Sequence, residues 1–189
     1  MEHRGIQGVG EQAEYLKEYR RALRNVLSHT QLSTYLKGST PIFLFGLLSL
    51  PAMLKSLTDA DNRMDQAINM TQASLLHHKL YIFEGSDIPL IMPSADSTAD
   101  VRGLLVFNLS PERRGWIHDF EATNETELRN VQVEIVLDDG NLCIIEAGAF
   151  VWQRGLQAGI VKAESNQWMM DKFLKTGLYE TATSGYLSC

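Results

Sequence analysis

The stretch from Val101 to Glu121 constrains the fold of this chain more than any other part of its sequence. Its first part, Arg102 to Phe107, is short, apolar and rich in β-branched and aromatic residues, which predicts a buried strand. Ser110 is then suited to cap the N-terminus of a helix, and Pro111 suits the first helical position. The stretch therefore predicts a strand that leads directly into a helix.

The predicted helix carries a carboxylate on its apolar side. Glu121 follows Ile117 by four residues and shares a helix face with it and with Phe120. Loss of hydration on such a face raises the pKa of a carboxyl group toward the range where it accepts and returns a proton near neutral pH. Two interpretations are open. Glu121 is a buried acid–base group, or it marks the helix end and turns to solvent or pairs with Arg113 or Arg114.

Three sequence patterns follow one another in a fixed order. The strand V-R-G-L-L-V-F comes first, the helix ending in I-H-D-F-E second, and V-Q-V-E-I-V-L-D-D-G, with A-F-V-W after it, third. In order and spacing, over roughly residues 40 to 155, they resemble the γ-glutamylcyclotransferase (AIG2-like) family. Pro41 to Leu48 takes the place of that family's N-terminal strand and glycine loop. The resemblance implies an α+β fold with a small mixed, partly closed β-barrel flanked by helices.

The resemblance also implies a reaction, an intramolecular aminolysis. The α-amino group of an N-terminal γ-glutamyl residue attacks its own γ-carbonyl, which releases 5-oxoproline and the attached amine or peptide. The resemblance makes Glu121 the catalytic acid–base. It makes the glycine loop the substrate-binding part, through the backbone of Phe45, Gly46, Leu47 and Leu48. It implies no metal, nucleotide or redox cofactor, so the expected partner is a small γ-glutamyl molecule.

The chain departs from the family pattern at several hydroxyl positions. Phe45 stands where Tyr is usual, Leu47 where Ser or Thr is usual, and Phe150 where Tyr is usual; Ala122 replaces the Gly after the glutamate. These losses favour the alternative of a non-catalytic module of the same fold that binds γ-glutamyl or other small molecules. The apolar loop also suits a bulky leaving group. It is compatible with fungal family members that act on glutathione conjugates in the biosynthesis of epidithiodiketopiperazine toxins.

Residues 1–37 are predicted to form an N-terminal helical extension and residues 38–189 the γ-glutamylcyclotransferase-like domain. From Glu11 to His29, apolar residues recur at helical spacing, which predicts one amphipathic helix. The residues of this stripe are Leu16, Tyr19, Leu23, Val26 and Leu27. The helix is expected to pack on the flank of the domain or against a second subunit in a homodimer.

The segments between the first strand and the stretch from Val101 to Glu121 are less regular. Thr58 to Thr71 is polar and acidic, which predicts a loop or a lid. Leu75 to Phe83 has strand character, and its paired His77 and His78 are interpreted as structural or surface histidines, because adjacent strand residues point to opposite faces. The sequence therefore predicts no metal site here.

The last third of the chain predicts a hairpin followed by a helix. Asn130 to Leu137 alternates and is β-branched, D-D-G-N is a turn sequence, and Leu142 to Trp152 is the return strand. Trp168 to Leu174 carries the spacing of a final amphipathic helix.

Charge and cysteine content exclude several functional classes. The formal net charge is −6 and no basic block occurs, so neither a nucleic acid nor an anionic membrane surface is an expected partner. Two cysteines cannot form a disulfide framework or a zinc cluster. The first 18 residues are polar, and the apolar run from Pro41 to Leu54 is too short to span a bilayer, so the expected location is the cytoplasm.

Overall fold

The computed structural model of the chain describes residues 16–58, 65–85 and 88–168. Residues 16–24 are helical and are labelled α1. Three further helices lie in the described ranges: α2 (His29–Leu36), α3 (Pro51–Leu57) and α4 (Pro111–Glu121). The strands are β1 (Ile42–Leu44), β2 (Met70–Leu76), β3 (His78–Phe83), β4 (Pro89–Pro93), β5 (Asp100–Val106), β6 (Thr126–Val136), β7 (Leu142–Trp152) and β8 (Ile160–Lys162).

Five strands form a closed barrel in the order β1-β5-β2-β6-β7, and β4-β3-β8 form a second small sheet. Neighbouring barrel strands are antiparallel except at the closure, where β1 and β7 are parallel with Ile42 beside Gly148. The predicted α+β barrel flanked by helices is confirmed. So is the predicted hairpin, since β6 and β7 pair over their full lengths from Thr126↔Trp152 to Val136↔Leu142.

Alternate residues of the barrel strands contribute to two hydrophobic clusters. The first, called the inner cluster, includes Phe43, Leu105 and Val133 of the barrel strands, and residues of α2, α3 and the second sheet join it. The outer cluster lies between the barrel wall and the helices and includes Leu44 and Ile117. This alternation is what a strand with both faces covered requires. The same barrel wall therefore supports the interior and the helix that carries Glu121.

A glycine in β5 allows the first strand to sit close against it. A Cβ at Gly103 would lie 2.6 Å from Cζ of Phe43 and 2.5 Å from the Leu44 carbonyl oxygen. Because such contacts are shorter than any real Cβ tolerates, only glycine fits here. The position of β1, and of the loop that follows it, depends on this close approach.

The N-terminal region differs from the single helix predicted to run through His29. Helix α1 ends by residue 24, and Val26, predicted to lie on the apolar stripe, has 46% of its surface exposed. Leu27 instead forms a parallel bridge with Leu137 at the end of β6 and is only 1% exposed. The described part of this region packs on the barrel flank, with Ala22 buried in the outer cluster.

Asn25 fastens this segment to the barrel. Its Nδ2 donates to the carbonyl oxygens of Ile68 (3.0 Å) and Met70 (2.7 Å), and Thr71 Oγ1 donates to the Asn25 carbonyl oxygen (2.6 Å). The Asn25 carbonyl oxygen, which would accept from the N–H of residue 29 in a continuing helix, is bonded by the Thr71 hydroxyl, and such bonds compete with helical ones. The physical cause of the helix end is thus a tertiary contact that hydrophobic periodicity does not contain.

One prediction for the middle of the chain is wrong, and a second is incomplete. Within Thr58 to Thr71, residues 66–69 form a 3₁₀ turn and β2 begins at Met70; Ala67 and Met70 are completely buried. The described part is therefore core and not a lid, while residues 59–64 lie outside the described ranges. Leu75 to Phe83 has the predicted strand character, but it divides into the end of β2 and the whole of β3. His77 adopts a left-handed conformation (φ +58°) between β2 and β3, which belong to different sheets.

Within the described ranges, no helix is both long and apolar enough to cross a membrane. The predicted final helix falls mostly outside these ranges, since only Trp168, a buried residue, is described.

Candidate functional site

Glu121 is the last residue of α4, and the start of this helix forms as the sequence predicts. Ser110 Oγ accepts a hydrogen bond from the Arg113 backbone N–H (3.3 Å), and Pro111 occupies the first turn. Ile117 anchors the helix in the outer cluster and is completely buried. The strand-to-helix prediction for this stretch is therefore confirmed.

Polar contacts at its beginning fix the direction of α4. Ser39 Oγ donates to the Leu109 carbonyl oxygen (3.1 Å), and the Arg114 guanidinium donates to the Thr40 carbonyl oxygen. Further along the helix, the ring of His118 packs edge-on against Phe150 of β7, with centroids 6.1 Å apart. The helix thus starts beside the N-terminus of β1 and runs along β7, so that Glu121 is carried toward the opposite end of β1.

The register of the barrel brings Glu121 and the glycine loop to the same end. Ile42 and Gly148 are neighbours on parallel strands, so β1 and β7 run to the same end of the barrel, where Gly46 follows β1 and Trp152 is the last residue of β7. Trp152 pairs with Thr126, whose Oγ1 donates to the Glu121 carbonyl oxygen (2.6 Å). Glu121 and Gly46, which are far apart in sequence, are therefore linked through the ends of the neighbouring strands β6, β7 and β1.

A second route through β4 supports this placement. A Cβ on Gly46 would lie 2.7 Å from Cγ of Pro89, the first residue of β4. The next residue, Leu90, packs in one small cluster with Trp152. Gly46, β4 and the end of β7 are therefore close together.

The loop after β1 is a single 3₁₀ turn, Gly46–Ser49. Gly46 has a left-handed conformation (φ +64°), which glycine adopts without strain. Ser49 Oγ donates to the Gly46 carbonyl oxygen (2.6 Å) and closes the turn. Gly46 and Leu48 are buried, whereas Phe45 and Leu47 are partly exposed and pack against the inner cluster.

Burial raises the pKa of Glu121 to about 7. The residue keeps limited solvent access, but Phe120 and Ala122 on either side pack against the outer cluster, so the carboxyl group is poorly hydrated. Arg114, one of the two partners that the sequence left open, donates to the Thr40 carbonyl oxygen instead, and desolvation is the cause of the raised pKa of Glu121. A carboxyl group of this pKa can accept a proton and return it near neutral pH.

Sequence reasoning did not identify Thr123 and Thr126. Thr126 Oγ1 donates to the carbonyl oxygen of Glu121 and accepts from the backbone N–H of Thr123 (2.9 Å). The available signal was the pattern T-x-x-T directly after a predicted helix end that lacks glycine, because hydroxyl side chains cap helices and turns.

The described residues contain no group of three or more His, Cys, Asp or Glu side chains that could hold a metal ion. His77 and His78 are separated by the turn between two sheets. Nδ1 of His78 lies 2.7 Å from the Leu76 carbonyl oxygen, and burial lowers the pKa of this imidazole.

Comparison with known proteins places the chain among barrels of this type. Residues 42–170 match the family described as "Gamma-glutamyl cyclotransferase, AIG2-like". The match begins at β1 and takes in both Gly46 and Glu121. No curated protein matches the sequence.

Several solved structures have a similar fold. The solution structure of one Arabidopsis thaliana protein matches with a TM-score of 0.53 and 19% identity, over 75% of this chain and 87% of that chain. A second Arabidopsis thaliana solution structure has a TM-score of 0.51 and 18% identity, over 78% and 82%. The crystal structure of an AIG2-like protein from Mus musculus has a TM-score of 0.42 and 13% identity, over 67% and 86%.

Proposed function

Since this chain belongs to the AIG2-like gamma-glutamyl cyclotransferase family, we propose that it is a γ-glutamylcyclotransferase that releases 5-oxoproline from a γ-glutamyl peptide or conjugate. The observation that carries the proposal is a poorly hydrated carboxyl group with a pKa of about 7, at the barrel end where the glycine loop also lies. The partner is a small γ-glutamyl molecule.

In the proposed reaction, Glu121 handles the protons. The ionised carboxylate takes a proton from the α-ammonium group, whose ordinary pKa is about 8, and the free amine attacks the γ-carbonyl carbon. A new C–N bond closes the five-membered ring. The bond to the leaving nitrogen then breaks as that nitrogen receives a proton from Glu121. The carboxylate finally removes the extra proton from the ring nitrogen, and the released amine takes this proton.

The glycine loop has the second role in the proposed reaction, which is to bind and orient the substrate. The left-handed Gly46 lets the chain turn sharply at the end of β1, which sets the course of the loop backbone that follows. The loop backbone would hold the γ-glutamyl group in a folded conformation. Orientation of this kind can contribute about 7–11 kcal/mol to ring closure.

The chemistry of the loop favours a leaving group that is apolar and larger than a dipeptide of small residues. Phe45 and Leu47 are partly exposed, and Phe45 stacks on Phe43 with centroids 6.4 Å apart. Aromatic and aliphatic surfaces bind apolar groups through their burial. Glutathione conjugates in the biosynthesis of epidithiodiketopiperazine toxins in fungi would be one case of such a substrate.

A direct test uses purified protein with γ-glutamyl amides that differ in their leaving amine. We expect 5-oxoproline from these amides, with a higher kcat/KM for an aromatic leaving amine than for glycine. Glu121→Gln should abolish product while the far-UV spectrum stays unchanged. The matched control is Glu127→Gln, because Glu127 is exposed and pairs with Arg129. Turnover by Glu121→Gln at the wild-type rate would contradict the proposed role of Glu121.

The second candidate function is a binding module without catalysis. The phenylalanines at positions 45 and 150 and Leu47 favour it, because three side chains that could hydrogen-bond to a substrate are replaced by apolar ones. Calorimetry with a γ-glutamyl amide, run beside the product assay, separates the two candidates. Heat of binding without 5-oxoproline favours the module.

A further inference from the structure

The C-terminus of α4 is capped without glycine. The last four carbonyl groups of a helix have no partner within the helix, and a left-handed glycine commonly satisfies some of them. Here Ala122 is extended (φ −76°, ψ 120°), and its N–H donates to the His118 carbonyl oxygen (2.7 Å). The carbonyl of Glu121 is bonded instead by the hydroxyl of Thr126, at 2.6 Å.

The hydrogen bonds of Thr126 can be assigned one by one. A hydroxyl carries one proton, and that of Thr126 is donated to Glu121. The 3.1 Å contact between Oγ1 of Thr123 and Oγ1 of Thr126 is therefore a donation from Thr123. Thr126 Oγ1 also accepts from the Thr123 N–H, and Thr123 Oγ1 accepts from the N–H groups of Glu125 (3.1 Å) and Thr126 (3.2 Å). Every hydroxyl proton in this small network is used.

The network joins Glu121 to the barrel wall. Thr126 is the first residue of β6 and pairs with Trp152 of β7, so its backbone is held by the sheet. Helix ends fray unless they are held. The bond from Thr126 holds the backbone of Glu121 against the barrel wall, and the backbone restricts the rotamers that the Glu121 side chain can adopt.

We propose that Thr126 is a positioning residue, which holds the last turn of α4 so that the Glu121 carboxyl group stays in its poorly hydrated place beside the end of the barrel. The inference rests on the proposed function as far as turnover is concerned. Without the hydroxyl, the last turn opens and the carboxylate reaches water. Its pKa then falls toward its ordinary value of 4.5, and Glu121 is lost as a base matched to neutral pH.

Three full-length variants test this role. Thr126→Val keeps the shape and removes the hydroxyl, and Thr126→Ser keeps the hydroxyl. Thr71→Val is the matched control, because Thr71 Oγ1 also donates to a carbonyl oxygen at 2.6 Å, that of Asn25, on a different element. Glu121 is titrated by ¹³C NMR without substrate, and kcat and KM are measured against pH with a γ-glutamyl amide.

For Thr126→Val we expect a fall in the Glu121 pKa, at least a tenfold lower plateau kcat, and an acid limb of kcat at lower pH. Thr126→Ser should stay within threefold of the wild type, and Thr71→Val should lower only the melting temperature. A Glu121 titration and plateau kcat unchanged in Thr126→Val would overturn the inference, even if that variant melts earlier. So would a Thr126→Ser variant that behaves like Thr126→Val.

Failure of the proposed function is distinguishable from failure of this inference. If the wild type releases no 5-oxoproline, the proposed activity is wrong, and the titration alone decides the role of Thr126. A pKa that falls in Thr126→Val and not in Thr126→Ser then still supports positioning. Should Thr126→Val not fold, Thr126→Ala provides the same comparison with a smaller side chain.

Discussion

Gly46 lies against Pro89 so closely that no side chain fits between them: a Cβ at position 46 would be 2.7 Å from Cγ of the proline. This contact joins the loop after the first barrel strand to the start of β4, and it adds a steric requirement to the left-handed backbone of Gly46. Glycine is therefore required at this position for two independent reasons.

The first prediction concerns Gly46→Ala. A left-handed backbone costs an alanine about 1–2 kcal/mol, and the clash with Pro89 adds to this and displaces the loop. We expect at least a tenfold loss of kcat/KM in the 5-oxoproline assay and a lower urea midpoint. The control is Gly140→Ala, because Gly140 has φ +82° in the hairpin turn but no atom within 4 Å of its added Cβ. Equal effects of the two substitutions would show that the Pro89 contact is unimportant.

The features that could be predicted from the sequence depend on local interactions, and those that could not be predicted depend on contacts between residues far apart in sequence. The strand-to-helix stretch and the β6–β7 hairpin were predictable because their signals are local: a cap at Ser110, a proline at position 111, and alternation around a D-D-G-N turn. The break after α1 and the left-handed turn at His77 were not. Both depend on hydrogen bonds to distant backbone, such as the His77 N–H to the Ala99 carbonyl oxygen (2.8 Å).

The same distinction between local and long-range interactions applies to the candidate site. Helical spacing alone placed Glu121 on the apolar face, and the direction of its pKa shift follows from that placement. Its placement at the same end of the barrel as Gly46 depends on the closure of the barrel, where Ile42 meets Gly148, which no local pattern contains. The capping role of Thr126 depends on the same long-range geometry.

The second prediction links the pKa of Glu121 to stability. Its folded-state pKa of about 7 lies above the ordinary 4.5, so the folded state binds the proton more tightly. The contribution to stability is complete below pH 4.5 and is lost as the pH rises through 7. The pKa shift corresponds to a loss of at most about 3 kcal/mol in the free energy of unfolding. The loss is smaller than this limit to the extent that the side chain is accessible to solvent.

Glu121→Gln, which cannot ionise, isolates this effect. We expect the variant to gain stability relative to the wild type between pH 4.5 and pH 8, in urea unfolding curves measured across that range. Glu127→Gln, at an exposed position, should show no such trend. A difference in free energy of unfolding that is independent of pH would mean that Glu121 is not desolvated in solution.

The third prediction concerns the pH dependence of turnover. If the ionised form of Glu121 is the base, kcat should fall about tenfold per pH unit well below its pKa of about 7, as for any single essential group. Steady-state kinetics from pH 5 to 9 with a γ-glutamyl amide would measure this acid limb. A limb near 4.5 would indicate a well-hydrated carboxylate as the base instead.

The last prediction tests whether the segment ahead of the matched family region is part of the barrel. Leu27 is 1% exposed in the inner cluster and bridges Leu137, while its neighbour Val26 is 46% exposed. Truncation of a buried leucine leaves a cavity, so Leu27→Ala should lower the free energy of unfolding by about 2–5 kcal/mol. Val26→Ala is the adjacent control and should change it by no more than about 0.5 kcal/mol. Because Leu27 and Phe43 belong to the same inner cluster and Phe43 leads into the glycine loop, Leu27→Ala should also weaken binding of a γ-glutamyl amide in calorimetry. Equal stabilities of the two variants in urea would mean that residues 25–27 only rest on the barrel surface.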